Sequence, residues 1–324
     1  MPCPSENQGG RRLLSFGRIQ PYLQRFGIVI GLVVLCVVLS MMTPNFLTVH
    51  NLINIARQIS INGILAVGVT YVLLTGGVDL SLGSLVALTG VVAATFAHPG
   101  DYPVAVPILV GILAGAACGA TNGVVITWGR VAPFIATLGM MTIARGLALL
   151  VSGGRPVSNM SPEMTRLGGE IAGIPISVLI LLATAIASWL FLANTRMGRY
   201  IYAVGGNADA ARAAGISVRR VKLFAYTVCG ALAGLAGVML AARITTGQPN
   251  AGVAYELDAI AAVVIGGTSL SGGAGGVGGT LLGAVLMGVI NNGLDLLNVS
   301  SYYQQIVKGC IIVGAVWLDR RNKH

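Results

Sequence analysis

Long apolar stretches, interrupted by short polar or glycine-rich segments, run through nearly the whole chain. Each approaches the roughly 20 residues that an α-helix needs to cross the hydrocarbon core of a bilayer. The pattern therefore predicts an all-α polytopic membrane protein with about ten transmembrane helices. The predicted spans are residues 27–42, 58–75, 81–97, 104–127, 133–151, 174–193, 224–242, 258–270, 277–292 and 303–318.

Composition agrees with this pattern. Of the 324 residues, 55% are hydrophobic and only 9% are charged, whereas a soluble domain carries about 25% charged residues. Such a chain cannot cover a water-facing surface. We expect one transmembrane domain over 27–318, containing a cytoplasmic loop at 194–223. A basic cytoplasmic segment at 1–26 precedes it, and a short cytoplasmic tail at 319–324 follows.

The Lys and Arg residues are concentrated in alternate loops, as expected when cytoplasmic loops collect basic residues. Both termini are therefore predicted to be cytoplasmic, and the formal charge of +10 reflects membrane topology rather than nucleic-acid binding. No A-x-A-like cleavage site follows the first span, so we expect it to be retained. The basic residues predicted on the cytoplasmic side are Arg11, Arg12, Arg18, Arg25, Arg130, Arg196, Arg199, Arg212, Arg219, Arg220, Lys222, Arg320, Arg321 and Lys323.

Motifs for metal, redox or cofactor chemistry are weak. The five cysteines show no C-x-x-C spacing and the three histidines lie far apart, so no metal site is predicted. The stretch "GGAGGVGG" (272–279) has the G-x-G-x-x-G spacing of dinucleotide-binding folds, but membrane spans flank it instead of soluble βαβ units. We expect these glycines to join two short, closely packed helices, with Gly272/Gly276 and Gly279/Gly283 at helix-packing spacing.

The loop at 194–223 is the largest polar insertion on the predicted cytoplasmic side. Its alanine-rich part, "ADAARAAG", favours a short helix, with Asn207 or Asp209 as the cap and Gly215 as the stop. One interpretation is a protruding helix that docks a soluble partner. The alternative is an ordinary basic loop held near anionic lipid.

Three quoted stretches resemble one protein family. "GRYIYAVGGNADAARAAGIS" is similar to the coupling segment of permease subunits in bacterial ATP-binding-cassette sugar importers. "NFLTVHNLINIARQISINGILAVGVTYVLLTGGVDLSLGSLVALTG" (45–90) and "GQPNAGVAYELDAIAAVVIGGTSLSGGAGGVGGTLLGAVLMGVINNGLDLLNVSSYYQQIVKG" (247–309) resemble the same family, closest to its ribose permease branch. The resemblance covers the chain from about residue 20 to 320.

This resemblance implies a division of labour in the bacterial inner membrane. A periplasmic binding protein delivers the sugar, two permease copies form the path, and cytoplasmic ATPase subunits drive transport. The chain has no G-x-x-x-x-G-K-[ST] loop, because no lysine follows a glycine, so ATP and Mg are expected to be used by the partner and no cofactor by this chain. By resemblance the ATPase-coupling residues are Gly205, Gly206, Asn207, Ala210, Ala211, Arg212 and Gly215.

Polar residues inside or beside the spans are candidates for the sugar path. Asp79, in "TGGVDLSLGS", is an acid between long apolar runs, where a charge is costly. It is either a polar group or hinge on the path, or, together with Ser81, a cap at the start of the third span. The candidates are Asp79, Ser81, Ser84, Asn62, Asn122, Asn291 and Asn292, with Thr70, Tyr71 and Thr137 as further polar positions. The alternative for the small polar residues is helix packing.

Charged residues on the predicted outer side are candidates for orienting the binding protein through exposed ion pairs, each contributing about 0–1 kcal/mol. The candidates are Arg155, Arg166, Arg243, Glu256 and Asp258, with Glu163 and Glu170 nearby. The alternative is that these are ordinary solvated loop charges.

Two internal sequence echoes suggest a structural repeat, but their offsets disagree. "GGVDLSLG" (76–83) resembles the stretch at 266–273, an offset of 190, whereas Asn122-Gly123 and Asn292-Gly293 are offset by 170. One of the two matches is therefore spurious, or one half carries an extra span.

Two alternatives stay open: another monosaccharide as the cargo of the same importer class, and an independent secondary carrier. The cargo is ribose on resemblance alone, with xylose, galactose or inositol as alternatives. An independent secondary carrier would need paired ionisable groups inside the spans, for which Arg145, Lys308 and Asp79 are the main candidates.

Overall fold

A computed structural model describes the backbone of residues 20–321 and the side chains of residues 27–311, 313 and 314. This part of the chain is predominantly helical, with one two-stranded antiparallel hairpin. The elements are α1 Gln20–Met42, α2 Val49–Leu74, α3 Leu82–Thr95, α4 Ala105–Thr127, α5 Pro133–Ser152, α6 Pro162–Arg166, β1 Glu170–Ile171, β2 Ile174–Pro175, α7 Ile176–Asn194, α8 Arg196–Gly206, α9 Ala208–Ala213, α10 Val218–Ile244, α11 Tyr255–Ile265, α12 Val277–Leu296 and α13 Ser301–Arg321.

Each predicted apolar stretch coincides with a helix. Among the described residues, six helices are long and apolar enough to cross a membrane: α2, α4, α5, α7, α10 and α12. The apolar part of α1, Gly27–Met42, and α3 are shorter. The class of helical membrane protein is thereby confirmed, while the number of about ten crossings stays a prediction.

Two of the predicted spans are half-length helices. The stretch at 258–270 forms α11, which has only 11 residues and measures about 17 Å, too short for a core of about 30 Å. Its predicted crossing as one continuous span is therefore wrong. The 14-residue α3 is likewise about 21 Å long, and a turn followed by irregular backbone at 75–81 connects the end of α2 to the start of α3.

The starts of these two short helices meet. A Cβ on Gly83, in the first turn of α3, would collide with the carbonyl oxygen of Gly252 and the carboxylate of Glu256, just before and within α11. Only glycine allows the two backbones to approach this closely. Short helices meeting inside a bundle are a device that transporters share.

The loops form two groups, one at each end of the bundle. At the end predicted to lie outside, Arg57 pairs with Glu170 at 2.7 Å between Nη2 and Oε1, and Val157 bridges to Gly247. At the other end the Gly273 N–H donates to the Leu74 carbonyl at 3.0 Å. This grouping agrees with the predicted alternation of loops, and which end faces the cytoplasm stays a prediction.

The bundle consists of two halves with inverted topology. Helices α2, α3, α4 and α5 correspond in order to α10, α11, α12 and α13, each starting about 170 residues later. The contacts match: α10 packs against α3 and α4, and α2 packs against α11 and α12. Asn122 and Asn292 lie at equivalent places in α4 and α12, so the 170-residue offset is confirmed. The 190-residue match is the spurious one, because 76–83 follows α2 whereas 266–273 follows α11.

Candidate functional site

The loop at 194–223 folds into two short helices followed by the start of α10. The Asn207 side-chain oxygen caps α9 by accepting the N–H groups of Asp209 and Ala210, at 3.0 and 2.9 Å. Gly215 ends the turn after α9 in the left-handed region, at φ +82°. The predicted short helix, its cap and its stop are confirmed, although α10 begins at Val218, earlier than the predicted span.

One face of α8 and α9 is anchored to the bundle. Ile201 and Val204 of α8 and Ala211 of α9 are buried in a cluster with Leu74 of α2 and Val221 of α10. Burial of these apolar side chains fixes the two helices across the bundle end. Their opposite face is open, and we call it the α8–α9 surface.

The seven predicted coupling residues divide between these two faces. Gly205 and Ala211 point toward the bundle, because a Cβ on Gly205 would collide with the Leu74 carbonyl and Ala211 is 5% exposed. Their expected direct contact with a partner is therefore corrected to an anchoring position. The exposed residues are Gly206, Asn207, Ala210, Arg212 and Gly215, and nothing in the fold itself tests their coupling role.

The glycine-rich stretch 272–279 lies against α8. A Cβ on Gly205 would lie 2.5 Å from the Gly273 nitrogen, and the Tyr202 hydroxyl donates to the Gly275 carbonyl at 3.0 Å. Burial raises the pKa of Tyr202, which keeps the phenol protonated as a donor. The stretch therefore joins α8 to the loop before α12.

Helix α11, not a strand, precedes the glycine fingerprint, so its context is not that of a dinucleotide-binding fold. Gly279 and Gly283 of α12 pack against the end of α11, which confirms their predicted role in close helix packing. Gly272 instead contacts Gly76 and Gly205, and Gly276 lies near the Tyr202 hydroxyl, so the Gly272/Gly276 pair does not join two helices.

Asp79 and two neighbours form a buried cluster at the start of α3, which we call the Asp79 cluster. Asp79 is fully buried, and its Oδ1 accepts from the Ser81 N–H at 2.9 Å and the Ser81 hydroxyl at 2.6 Å. Asn122 Nδ2 of α4 donates to Ser81 Oγ at 3.2 Å. The carboxylate thus supports the turn into α3, close to the cap predicted for Asp79 and Ser81, although Ser81 itself makes no side-chain cap bond.

The Asp79 cluster contains no cation. Asp79 Oδ2 has no hydrogen-bond partner among the described residues, and none of the ion pairs there includes Asp79. The Tyr226 hydroxyl of α10 donates to the neighbouring Val78 carbonyl at 3.1 Å and fixes this segment. The arrangement offers one buried acceptor oxygen to any hydroxyl that reaches it.

A second polar cluster, which we call the Asp258 cluster, links the last three helices. Lys308 Nζ of α13 donates to Asp258 Oδ2 of α11 at 2.8 Å, and Asn291 Nδ2 of α12 donates to the same oxygen at 3.2 Å. Asp258 is only 2% exposed. Its assignment as an exposed docking charge is therefore wrong: it lies inside the bundle, where an acid needs a partner.

Sequence reasoning named Asp258, Asn291 and Lys308 separately but did not bring them together. Their separations of 33 and 50 residues follow no helical period. The available signal was that Lys308 and Asp258 both border apolar runs, where an unpaired charge is costly.

The remaining path candidates are buried at separate places. Asn292 exchanges amide hydrogen bonds with Asn51 of α2, at 3.0 and 2.8 Å. Asn62 and Ser84 are also buried. The seven candidates therefore do not form one site, and their contact with a transported molecule stays a prediction.

The outer docking candidates are mixed. Arg155, Arg166 and Arg243 are exposed, as a docking surface requires, whereas Glu256 is partly buried against Gly83. The loop that carries the first two contains α6 and the β1–β2 hairpin, neither of which was predicted from the sequence.

Comparisons with known proteins agree with one another. The family described as "Branched-chain amino acid transport system / permease component" matches residues 51–316. The chain is 47% identical to the ribose import permease protein RbsC of Escherichia coli (strain K12), over 91% of this chain and 93% of that protein. Identity to the RbsC of Bacillus subtilis (strain 168) is also 47%, over 93% and 94%.

A more distant relative is named for a different cargo. The D-allose transport system permease protein AlsC of Escherichia coli (strain K12) is 37% identical over 92% of both chains. No solved structure matches the chain.

Proposed function

The chain belongs to the family of branched-chain amino acid transport system permease components, and from that premise we propose that it is the membrane subunit of an ATP-driven importer for ribose or a similar monosaccharide. The observation that carries the proposal is 47% identity to two ribose import permeases over more than nine-tenths of the chain. The allose relative supports a monosaccharide cargo more broadly.

A permease of this class works with an ATPase and a substrate-binding protein. We assign ATPase docking to the α8–α9 surface, because its exposed residues lie on helices whose other face is anchored at the bundle end. The ATPase supplies the ATP and Mg chemistry. The exposed arginines at 155, 166 and 243 orient the binding protein at the opposite end.

The chain is a multi-pass protein of the bacterial inner membrane. Ten helices crossing or entering the bilayer and cytoplasmic termini complete the proposed topology, supported by the basic residues at the α8–α9 end. Two copies of the chain form the transporter. The Asp79 cluster and the Asp258 cluster supply candidate contacts for sugar hydroxyls.

Reconstitution with the cognate ATPase and binding protein tests this function. We expect ribose uptake into proteoliposomes that requires ATP, with allose, arabinose, xylose, galactose and inositol as competitors to define the cargo. Uptake driven by a proton gradient without ATP would contradict the proposal and favour a secondary carrier.

Charge reversal tests the docking surface. Arg212→Glu, on α9, is expected to lower sugar uptake at least tenfold while the ATPase alone keeps its activity, because the reversed charge lies on the docking surface. Arg220→Glu, exposed in the first turn of α10 and on neither helix of the α8–α9 surface, is the matched control and should transport normally. Equal transport by both variants would exclude α9 from coupling.

A further inference from the structure

A basic pocket lies beside the α8–α9 surface, between the end of α4 and the start of α10. Its volume is about 640 Å³. Four basic side chains line it: Arg130 after α4, Arg212 on α9, and Arg219 and Lys222 on the first turns of α10.

Three of the four positive charges of this pocket have no ion-pair partner among the described residues. Arg212 pairs with Asp209 at 2.6 Å between Nη1 and Oδ1, but none of the ion pairs among the described residues includes Arg130, Arg219 or Lys222. No Asp or Glu lines the pocket. Unpaired like charges held together favour an anionic ligand.

Two backbone features add to this preference. The pocket contains the start of the 27-residue α10, whose N-cap Ser217 makes no side-chain cap bond, so the positive end of the helix dipole is open to an anion. Arg130 adopts a left-handed backbone conformation at φ +55°, which is strained for any residue with a Cβ and which glycine would adopt more easily. An arginine stands there instead, and its side chain lines the pocket.

The surface next to the pocket is apolar and faces away from the bundle. Val124, Val125 and Trp128, at the end of α4, are 46%, 36% and 49% exposed. Because α4 is apolar enough to cross the membrane, an exposed apolar face at its end suits contact with lipid, and Trp128 has the position expected of an interfacial aromatic anchor. An occupant with an anionic head and an apolar tail fits both surfaces.

We propose that this basic pocket binds the phosphate of an anionic phospholipid whose acyl chains lie along the end of α4. The bound phosphate joins Arg212 of α9 to Arg219 and Lys222 of α10. The lipid therefore holds α9 against the bundle. Any effect of the lipid on transport rests on the proposed docking of an ATPase on α9, whereas lipid binding itself does not.

Lipid binding to the purified full-length chain tests the site without any transport. Native mass spectrometry in detergent would follow titration with phosphatidylglycerol and, separately, phosphatidylcholine. We expect Arg219→Gln and Lys222→Gln each to weaken phosphatidylglycerol binding about fivefold. Arg220→Gln removes the same charge from an exposed neighbour that does not line the pocket and should change binding less than twofold. Phosphatidylcholine binding should be equal in all variants.

Three results would overturn the proposal. Equal loss with Arg220→Gln would show a diffuse charge effect instead of a pocket. Displacement of phosphatidylglycerol by inorganic phosphate at equal concentration would show a site for the free ion. Unchanged lipid binding together with lost capture of the purified ATPase in Arg219→Gln would identify the pocket as a protein-docking site.

Discussion

The two halves of the bundle meet through two equivalent helix contacts that use different chemistry. In the contact between α4 and α10, the backbones meet through glycines spaced four residues apart. A Cβ on Gly115 would lie 2.9 Å from the Gly234 Cα, and one on Gly119 would lie 3.0 Å from the Gly230 Cα. Glycines at this spacing let membrane helices pack at close range.

The equivalent contact between α2 and α12 uses polar side chains instead. Asn51 and Asn292 exchange amide hydrogen bonds, and the Thr70 and Thr280 hydroxyls are 2.8 Å apart. Both classes of contact stabilise helix pairs in membranes, where burial of apolar area cannot drive association. The fold therefore determines which helices meet, but not whether glycine packing or side-chain hydrogen bonds stabilise the contact.

The halves also treat a buried acid differently. Asp79 is satisfied on one oxygen by Ser81 alone, whereas Asp258 has a cation, Lys308, on the last helix. This difference predicts unequal costs for the same substitution.

The largest expected effect is in the second half. Asp258→Asn leaves the partly buried Lys308 ammonium without its counter-charge and should lower the free energy of unfolding by up to about 3–5 kcal/mol. Asp79→Asn, which keeps an acceptor oxygen and strands no cation, should cost about 1 kcal/mol. Unfolding in mixed micelles measures both. Recovery of stability in Asp258→Asn with Lys308→Met would confirm the pair, and equal costs at 79 and 258 would refute the difference.

A smaller effect is expected at the glycine contact. Gly115→Ala forces α4 away from Gly230 and Gly234 and should destabilise the protein by about 1–3 kcal/mol. Gly146→Ala in α5, where a Cβ meets nothing within 4 Å, should be neutral or stabilise by up to about 1 kcal/mol. Thermal melting of the two variants under identical detergent conditions compares them. A tolerated alanine at 115 would mean that the helices need not touch.

The smallest effect is expected at the polar contact. Asn292→Leu removes one side of the amide pair, but Asn51 keeps its bond to the Phe46 carbonyl at 2.8 Å. Polar pairs in membranes contribute about 0.6 kcal/mol on average, so the loss should be near 1 kcal/mol or less. A double-mutant cycle with Asn51→Leu measures the coupling. A cost exceeding that of Gly115→Ala would reverse the ranking of the two contacts.

The sequence predicts the helices well because most apolar runs are long and continuous, and it predicts α9 because its cap and stop are local. It fails where contacts join distant residues. Lys308 and Asp258 come together only through the packing of α13 on α11, and α11 is too short to cross although its apolar run resembles a span. The correct offset of 170 residues was visible in Asn122 and Asn292. The longer sequence match between 76–83 and 266–273 indicated a different offset, of 190.

The hydrogen bond from the Gly273 N–H to the Leu74 carbonyl joins the last residue of α2 to the loop that enters α12, directly beneath Gly205. Through Gly205, α8 therefore lies against both inverted halves at once, at the seam between them. A partner that bound the open face of α8, as proposed above, would therefore press on both halves at one point.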